Sequence, residues 1–108
     1  MLSKKCVPCE GGTPPLTEEE VRRLLLQVPG WAAEGNKRIW REFGCRDFAA
    51  AVDLVNRIAE IAEEEQHHPD ILIHRYKRVR VELSTHAIKG LSENDFIVAA
   101  KINSIAAV

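Results

Sequence analysis

Glu63-Glu64-Glu65-Gln66-His67-His68-Pro69-Asp70 is the segment in which the chain changes its period, and its reading decides the fold. Before it, Phe48, Ala51, Val52, Val55, Ile58, Ala59 and Ala62 recur at helical spacing, with Asp53, Arg57, Glu60 and Glu64 on the opposite side. That pattern predicts a long amphipathic helix capped by Asp47. After it, Ile71 and Ile73, then Val79, Val81, Leu83 and Thr85, alternate with polar residues, which predicts the two strands of a hairpin. Pro69 is expected to stop the helix, because its ring pushes residue 68 toward an extended backbone.

The same logic extends outward in both directions. Thr17 and Glu20 have the spacing of a capping box, and Val21, Leu24, Leu25 and Val28 form one helical stripe that Pro29-Gly30 terminates. From Trp31 to Phe43 the pattern alternates around Glu34-Gly35-Asn36-Lys37, a turn cluster, so a first hairpin is predicted. Leu91-Ser92-Glu93-Asn94-Asp95-Phe96 carries a second capping box, with Asp95 as its third helical residue, and a hydrophobic staple from Leu91 to Phe96. A last helix then runs to about Ile105 and buries Phe96, Ala99, Ala100 and Ile102. The order α-ββ-α-ββ-α implies an α+β fold, a four-stranded antiparallel sheet with three helices on one face. Gly11, Gly12, Pro14 and Pro15 set residues 1–15 apart as an arm, leaving 16–108 as one domain.

With a formal net charge of -1, the chain has no broad field to hold a nucleic-acid backbone, and no direct nucleic-acid binding is expected. Arg75, Lys77, Arg78 and Arg80 alternate with Val79 and Val81, so they read as the wet face of a strand. Neither a membrane-length apolar run nor a secretory leader is apparent, which makes a cytoplasmic protein the expectation. Three cysteines argue against a disulfide framework. Cys6 and Cys9 form a Cys-x-x-Cys pair, but a closed zinc site needs four ligands and no second pair of suitable spacing follows. The arm is read as a loosely docked tail, with intersubunit metal or redox chemistry as the lesser alternative.

All four histidines fall between Glu63 and Asp95. Imidazole is the side chain whose proton equilibrium lies near neutrality, so the concentration points to proton transfer. His67 and His68 fall at a helix end whose free carbonyls favour a cation, although a His-His-Pro there can equally be a simple helix stop. His86 belongs with Ser84, Glu82 and Arg80, opposite the valine face of its strand. His74 reads as a strand residue and Tyr76 as packing at the hairpin end.

In order, Glu63, His67, His68, Pro69, Tyr76, His86 and Asp95 resemble the pattern of the pterin-4a-carbinolamine dehydratase family. That pattern is a Glu, three residues, His-His-Pro or His-Asn-Pro, an aromatic residue, a further His and an Asp. The likeness runs from about Pro15 to the C-terminus and includes Trp31, Trp40, Phe43, Phe48-Ala49-Ala50 and Gly90-Leu91-Ser92. The resemblance implies a lyase that dehydrates a 4a-hydroxytetrahydropterin to quinonoid dihydropterin, in support of an aromatic amino acid hydroxylase. It implies a homodimer or homotetramer, and neither a metal nor a redox cofactor is required. On that reaction we assign His68 and His86 as the leading acid-base pair, with His67 holding the hydroxyl or sharing the transfer. Substrate contacts are expected from Glu63, Pro69, Ser84, Thr85 and Asp95, with the backbone near Ser84 to His86 reading the pterin's amide edge. For Asp95 the capping role is the simpler explanation. Because members of the family also bind transcription factors through helical surfaces, a non-catalytic oligomerisation or coactivator module is the alternative. A metal site is disfavoured, since adjacent His67 and His68 point apart unless the backbone bends.

Overall fold

The computed structural model describes residues 4, 6 and 14–106. Along the chain come α1 (Glu18–Leu25), β1 (Ala32–Glu34), β2 (Arg38–Gly44), α2 (Phe48–Glu65), β3 (Asp70–His74), β4 (Arg78–Leu83), a short 3-10 turn (His86–Ile88) and α3 (Glu93–Ala106). The α-ββ-α-ββ-α order is as expected. Both helix starts carry the predicted caps: Thr17 Oγ1 accepts from the Glu20 amide while Glu20 Oε1 accepts from the Thr17 amide. At α2, Asp47 Oδ1 accepts from the Ala50 amide at 2.8 Å.

The sheet order is β1-β2-β4-β3, so the two hairpins join through β2 and β4. All three pairings are antiparallel, and Ile39 stands opposite Leu83, Arg41 opposite Val81 and Phe43 opposite Val79. Because side chains alternate along a strand, this register puts Ile39, Phe43, Val79, Val81 and Leu83 on one face, all buried. They meet Ala51 and Ile58 of α2 and Phe96, Val98 and Ile102 of α3 in one core. Each fully buried large side chain contributes about 1.5–3 kcal/mol. The opposite face is polar: the Arg80 guanidinium lies 4.2 Å from the Trp40 ring centroid, and Glu42 takes both His74 Nε2 (2.6 Å) and Arg78 Nη1 (3.3 Å). Arg78 and Arg80 therefore lie on a strand's outer face, whereas Arg75 and Lys77, read with them as one strand face, belong to the turn between β3 and β4; His74 is a strand residue held by a cross-sheet carboxylate.

One part of the expected packing differs. α2 turns Ala51, Ile58, Ala62 and Glu65 inward, and Phe48 (56 % exposed), Val52 (36 %) and Ala59 stay outside. The helix is apolar around more of its circumference than one seam can cover, so spacing alone placed the buried stripe too far round. The inward line is marked by Glu65, which continues the 58, 62, 65 row and meets Lys101 Nζ of α3 at 2.6 Å.

Lys4 Nζ reaches Glu93 Oε1 at 3.2 Å, and the Cys6 amide donates to Glu65 Oε1 at 2.8 Å. The reading of the arm as a loosely docked tail, and Cys9 with it, otherwise falls outside the described residues. Among the described residues, no helix is long and apolar enough to cross a membrane.

Candidate active site

The end of α2 sets the site. Gln66 adopts the left-handed conformation (φ 53°, ψ 41°), and the amides of Gln66 and His67 both donate to the Ala62 carbonyl. This is a Schellman-type reversal, made here by a glutamine where glycine is usual. The helix thus ends before Pro69 is reached, and the proline precedes β3, a correction to its expected role as the helix stop. The reversal sends two consecutive imidazoles to different surroundings. His67 is 13 % exposed, with Nε2 2.6 Å from Asp95 Oδ1; His68 is 57 % exposed, with Nε2 2.5 Å from Glu63 Oε2.

Asp95 is fully buried at the start of α3. Its Oδ2 accepts from the Ser92 amide (2.9 Å) and from Thr85 Oγ1 (2.8 Å). Thr85 spends its only hydroxyl proton on Asp95, so it accepts from Ser92 Oγ, 2.8 Å away. The expected capping contact is present, and the other carboxylate oxygen holds His67 as well. One side chain starts a helix and fixes the direction of an imidazole.

His86 was expected on its strand, opposite the valine face. In the structure β4 stops at Leu83, Thr85 makes an isolated bridge with Gly90, and His86 opens the 3-10 turn that Lys89 closes in a left-handed conformation (φ 55°). The turn of the first hairpin braces this loop: Ser84 Oγ donates to the Lys37 carbonyl at 2.8 Å, and the Leu91 amide donates to the Asn36 carbonyl at 2.9 Å.

A cavity of about 610 Å³ has His67, His68, Ser84, Thr85 and His86 in its wall. His86 is thereby brought to one opening with the consecutive His67 and His68. Asp95 stands behind His67, Glu63 touches the site through His68, and Pro69 has no place in the cavity wall. Sequence reading did not assign the other wall residues to the site, among them Cys6, Glu65 and Asn94. Glu65 falls on the 58, 62, 65 row of α2, a row that is marked as the inward one only when Lys101 of α3 is set beside it. Burial first, and then the Glu65 charge, push the Cys6 thiol up to about 12. A smaller hollow of about 260 Å³ shares His68, Ser84 and His86 with the cavity. Among the described residues, no three of His, Cys, Asp and Glu are grouped to hold a metal ion.

The family model for pterin 4 alpha carbinolamine dehydratase matches residues 14–105. The chain belongs to the pterin-4-alpha-carbinolamine dehydratase family. That membership makes it a hydro-lyase family member, and the activity that goes with the family is loss of water from a pterin carbinolamine. Two relatives bear the name "Putative pterin-4-alpha-carbinolamine dehydratase". The one from Rubrobacter xylanophilus is 46% identical over 105 residues, covering 97% of each chain. The one from Halorhodospira halophila is 46% identical over 108 residues, covering 99% of this chain and 98% of its own. A crystal structure described as a transcriptional coactivator/pterin dehydratase from Brucella melitensis has a TM-score of 0.79 and 37% identity, over 86% of this chain and 99% of that one. A pterin dehydratase-like protein described as a RuBisCO assembly factor in the alpha-carboxysome is 19% identical, with a TM-score of 0.61 over 75% of this chain and 94% of that one. It shares the fold.

Proposed function

We propose that the chain dehydrates 4a-hydroxytetrahydropterin to quinonoid dihydropterin by general acid-base catalysis from the imidazoles of the cavity. The 4a-hydroxyl takes a proton and leaves as water with the C–O bonding pair, while a ring nitrogen gives up its N–H proton and its electrons form the new C=N bond. Net proton count is conserved, so one donor and one acceptor suffice. His68 and His86 serve as this pair, and His67, steadied by Asp95, holds the leaving hydroxyl or shares the transfer. Glu63 sets the orientation of His68, and the backbone from Ser84 to His86 reads the pterin's amide edge.

The observation that carries this reading is the shared lining by His67, His68 and His86 of a cavity of about 610 Å³. That size falls in the range of roughly 300–1,000 Å³ usual for small-molecule sites. In its setting, the product returns through a reductase to an aromatic amino acid hydroxylase, so the chain serves pterin recycling. The test follows carbinolamine dehydration by absorbance in His68→Ala and His86→Ala. Each loses about 100-fold or more in rate if the pair transfers protons; rates equal to the parent in both variants, with folding intact, would remove the proposal.

A second reading, assembly through a helical surface, is favoured by the apolar side chains that α2 leaves outside its own core, Phe48 and Val52. A second copy of the chain is the occupant inferred, giving a homodimer or homotetramer. Light scattering after size exclusion should give a multiple of the 12.1 kDa chain mass, reduced in Phe48→Glu. A monomeric parent at micromolar concentration would exclude this assembly.

A further inference from the structure

The smaller hollow adjoins the main cavity through the residues they share, His68, Ser84 and His86. At about 260 Å³ it falls below the usual range for a whole ligand and suits an appendage of one. Its wall brings together Lys37 from the first hairpin turn and Lys89 from the turn after β4. Both positions are fixed by backbone. The Lys37 carbonyl takes the Ser84 hydroxyl, and the Lys89 amide donates to the His86 carbonyl at 3.2 Å while its own backbone is left-handed.

The charges around the hollow do not cancel. Glu82 is already engaged by Arg80 Nε (3.0 Å) and Arg38 Nη1 (3.4 Å), and Arg38 Nε also meets Glu34 (2.9 Å). Asp70, opposite Glu82 in the sheet, is the remaining acid in the wall. Among the described residues neither Lys37 nor Lys89 takes part in an ion pair, so the wall holds two ammonium groups outside ion pairs and only one carboxylate, Asp70, that is likewise outside them. An ammonium at such a rim is well placed to meet a phosphate or carboxylate oxygen.

We propose that the smaller hollow is a side-chain subsite, in which Lys37 and Lys89 select pterins whose side chain ends in an anionic group. This rests on the proposed pterin reaction and names the substrate class it prefers: the ring occupies the main cavity, and the charged end of its substituent passes His68 and His86 into the hollow. Two sources supply that charge, a phosphate ester or the carboxylates of a glutamyl tail.

The experiment measures calorimetric binding of three dihydropterins to the parent protein and to Lys37→Gln/Lys89→Gln, at low and at high salt. The ligands carry a neutral dihydroxypropyl side chain, its phosphate monoester, or an aminobenzoyl-glutamate tail. Both lysines are exposed, so the substitutions spare the core. The parent should bind at least one charged ligand about tenfold more tightly than the neutral one at low salt. That ratio should fall to within about twofold in the double variant and shrink as salt is added. Preference for the phosphate alone identifies an ester as the source, and preference for the glutamyl ligand alone identifies a conjugate. Equal affinity for all three ligands, or a preference that survives the double substitution, overturns the subsite while leaving dehydration of the neutral pterin standing. Failure to bind any of them, together with failure to dehydrate the corresponding 4a-hydroxytetrahydropterins, removes the pterin reaction and the subsite together.

Discussion

Asp95 Oδ1 and His67 Nε2 are separated by 28 positions in sequence and by 2.6 Å in the fold. With the carboxylate accepting, Nε2 carries the ring proton and Nδ1 is the nitrogen left open. The same carboxylate accepts from Ser92 and Thr85, so donors converge on it from three elements of the site. In Asp95→Asn the amide brings two hydrogens into a place filled by donors, and at least one contact must be lost. The expected result is destabilisation by about 1–3 kcal/mol and a dehydration rate lowered by about tenfold or more. Denaturant titration and absorbance kinetics on the same sample check it; an unaltered rate in a folded variant would separate Asp95 from the chemistry.

Glu65 and Lys101 make a second link between α2 and α3, with side chains only 2 % and 18 % exposed. Removing Lys101 takes from the buried Glu65 carboxylate the ammonium that balances its charge, whereas replacing both with apolar groups of similar volume removes the two charges together. Lys101→Ala should therefore cost about 3–5 kcal/mol, and Glu65→Leu/Lys101→Met should lie close to the parent. Urea denaturation distinguishes these. A single variant as stable as the double would mean that the pair is fully solvated.

Much of this architecture could be read before any coordinates, because local rules agree with one another. The change from helical spacing to alternation around His67, His68 and Pro69 locates α2 and the second hairpin, and the Thr17 and Asp47 caps locate helix starts. What could not be read depends on partners distant in sequence. Phe48 and Val52 have the same spacing as Ile58, and only the position of α3 decides which of them is buried. Glu65 looks like one more residue of an acidic helix end until Lys101 is set beside it. The roles of Asn36 and Lys37 in bracing the His86 loop arise from backbone carbonyls, which carry no residue signature. Asp95 was recognisable as a cap; which imidazole it holds was not, since the contact with His67 requires the left-handed turn at Gln66.

Asp47 offers a test of the caps that also has a pH signature. Its bond to the Ala50 amide is the main cause holding its carboxyl below the ordinary value of 3.8. A folded value below the unfolded one means that the stabilisation is present above the unfolded value and is lost as pH falls through the folded one. Asp47→Ala should lower Tm by roughly 5 °C at neutral pH. The gap between parent and variant should close in acid below the folded value. Calorimetric scans across that range provide the measurement, and a gap independent of pH would point to a cause other than the ionised cap.

Cys6 is the described cysteine whose reactivity the fold should suppress most. Its thiol is pushed up to about 12, first by burial and then by the negative Glu65, whose Oε1 also accepts the Cys6 amide. The thiolate is the reactive form, so at pH 8 the fold holds Cys6 far below the reactivity of an open-chain thiol of ordinary value 9.0. Iodoacetamide labelling read by peptide mass should therefore modify Cys6 much more slowly in the folded protein than in a synthetic peptide of residues 1–13. Glu65→Gln removes the charge but keeps the shape, and should speed labelling without matching the peptide, because burial is the larger cause. A folded value above the unfolded one also means that the stabilisation is complete below about pH 9 and is lost as pH rises toward 12. Labelling should accelerate more steeply with pH above 9 than a simple thiol titration allows, as contacts of the Cys6 segment release. Equal rates for protein and peptide at pH 8 would show that Cys6 does not spend its time against Glu65.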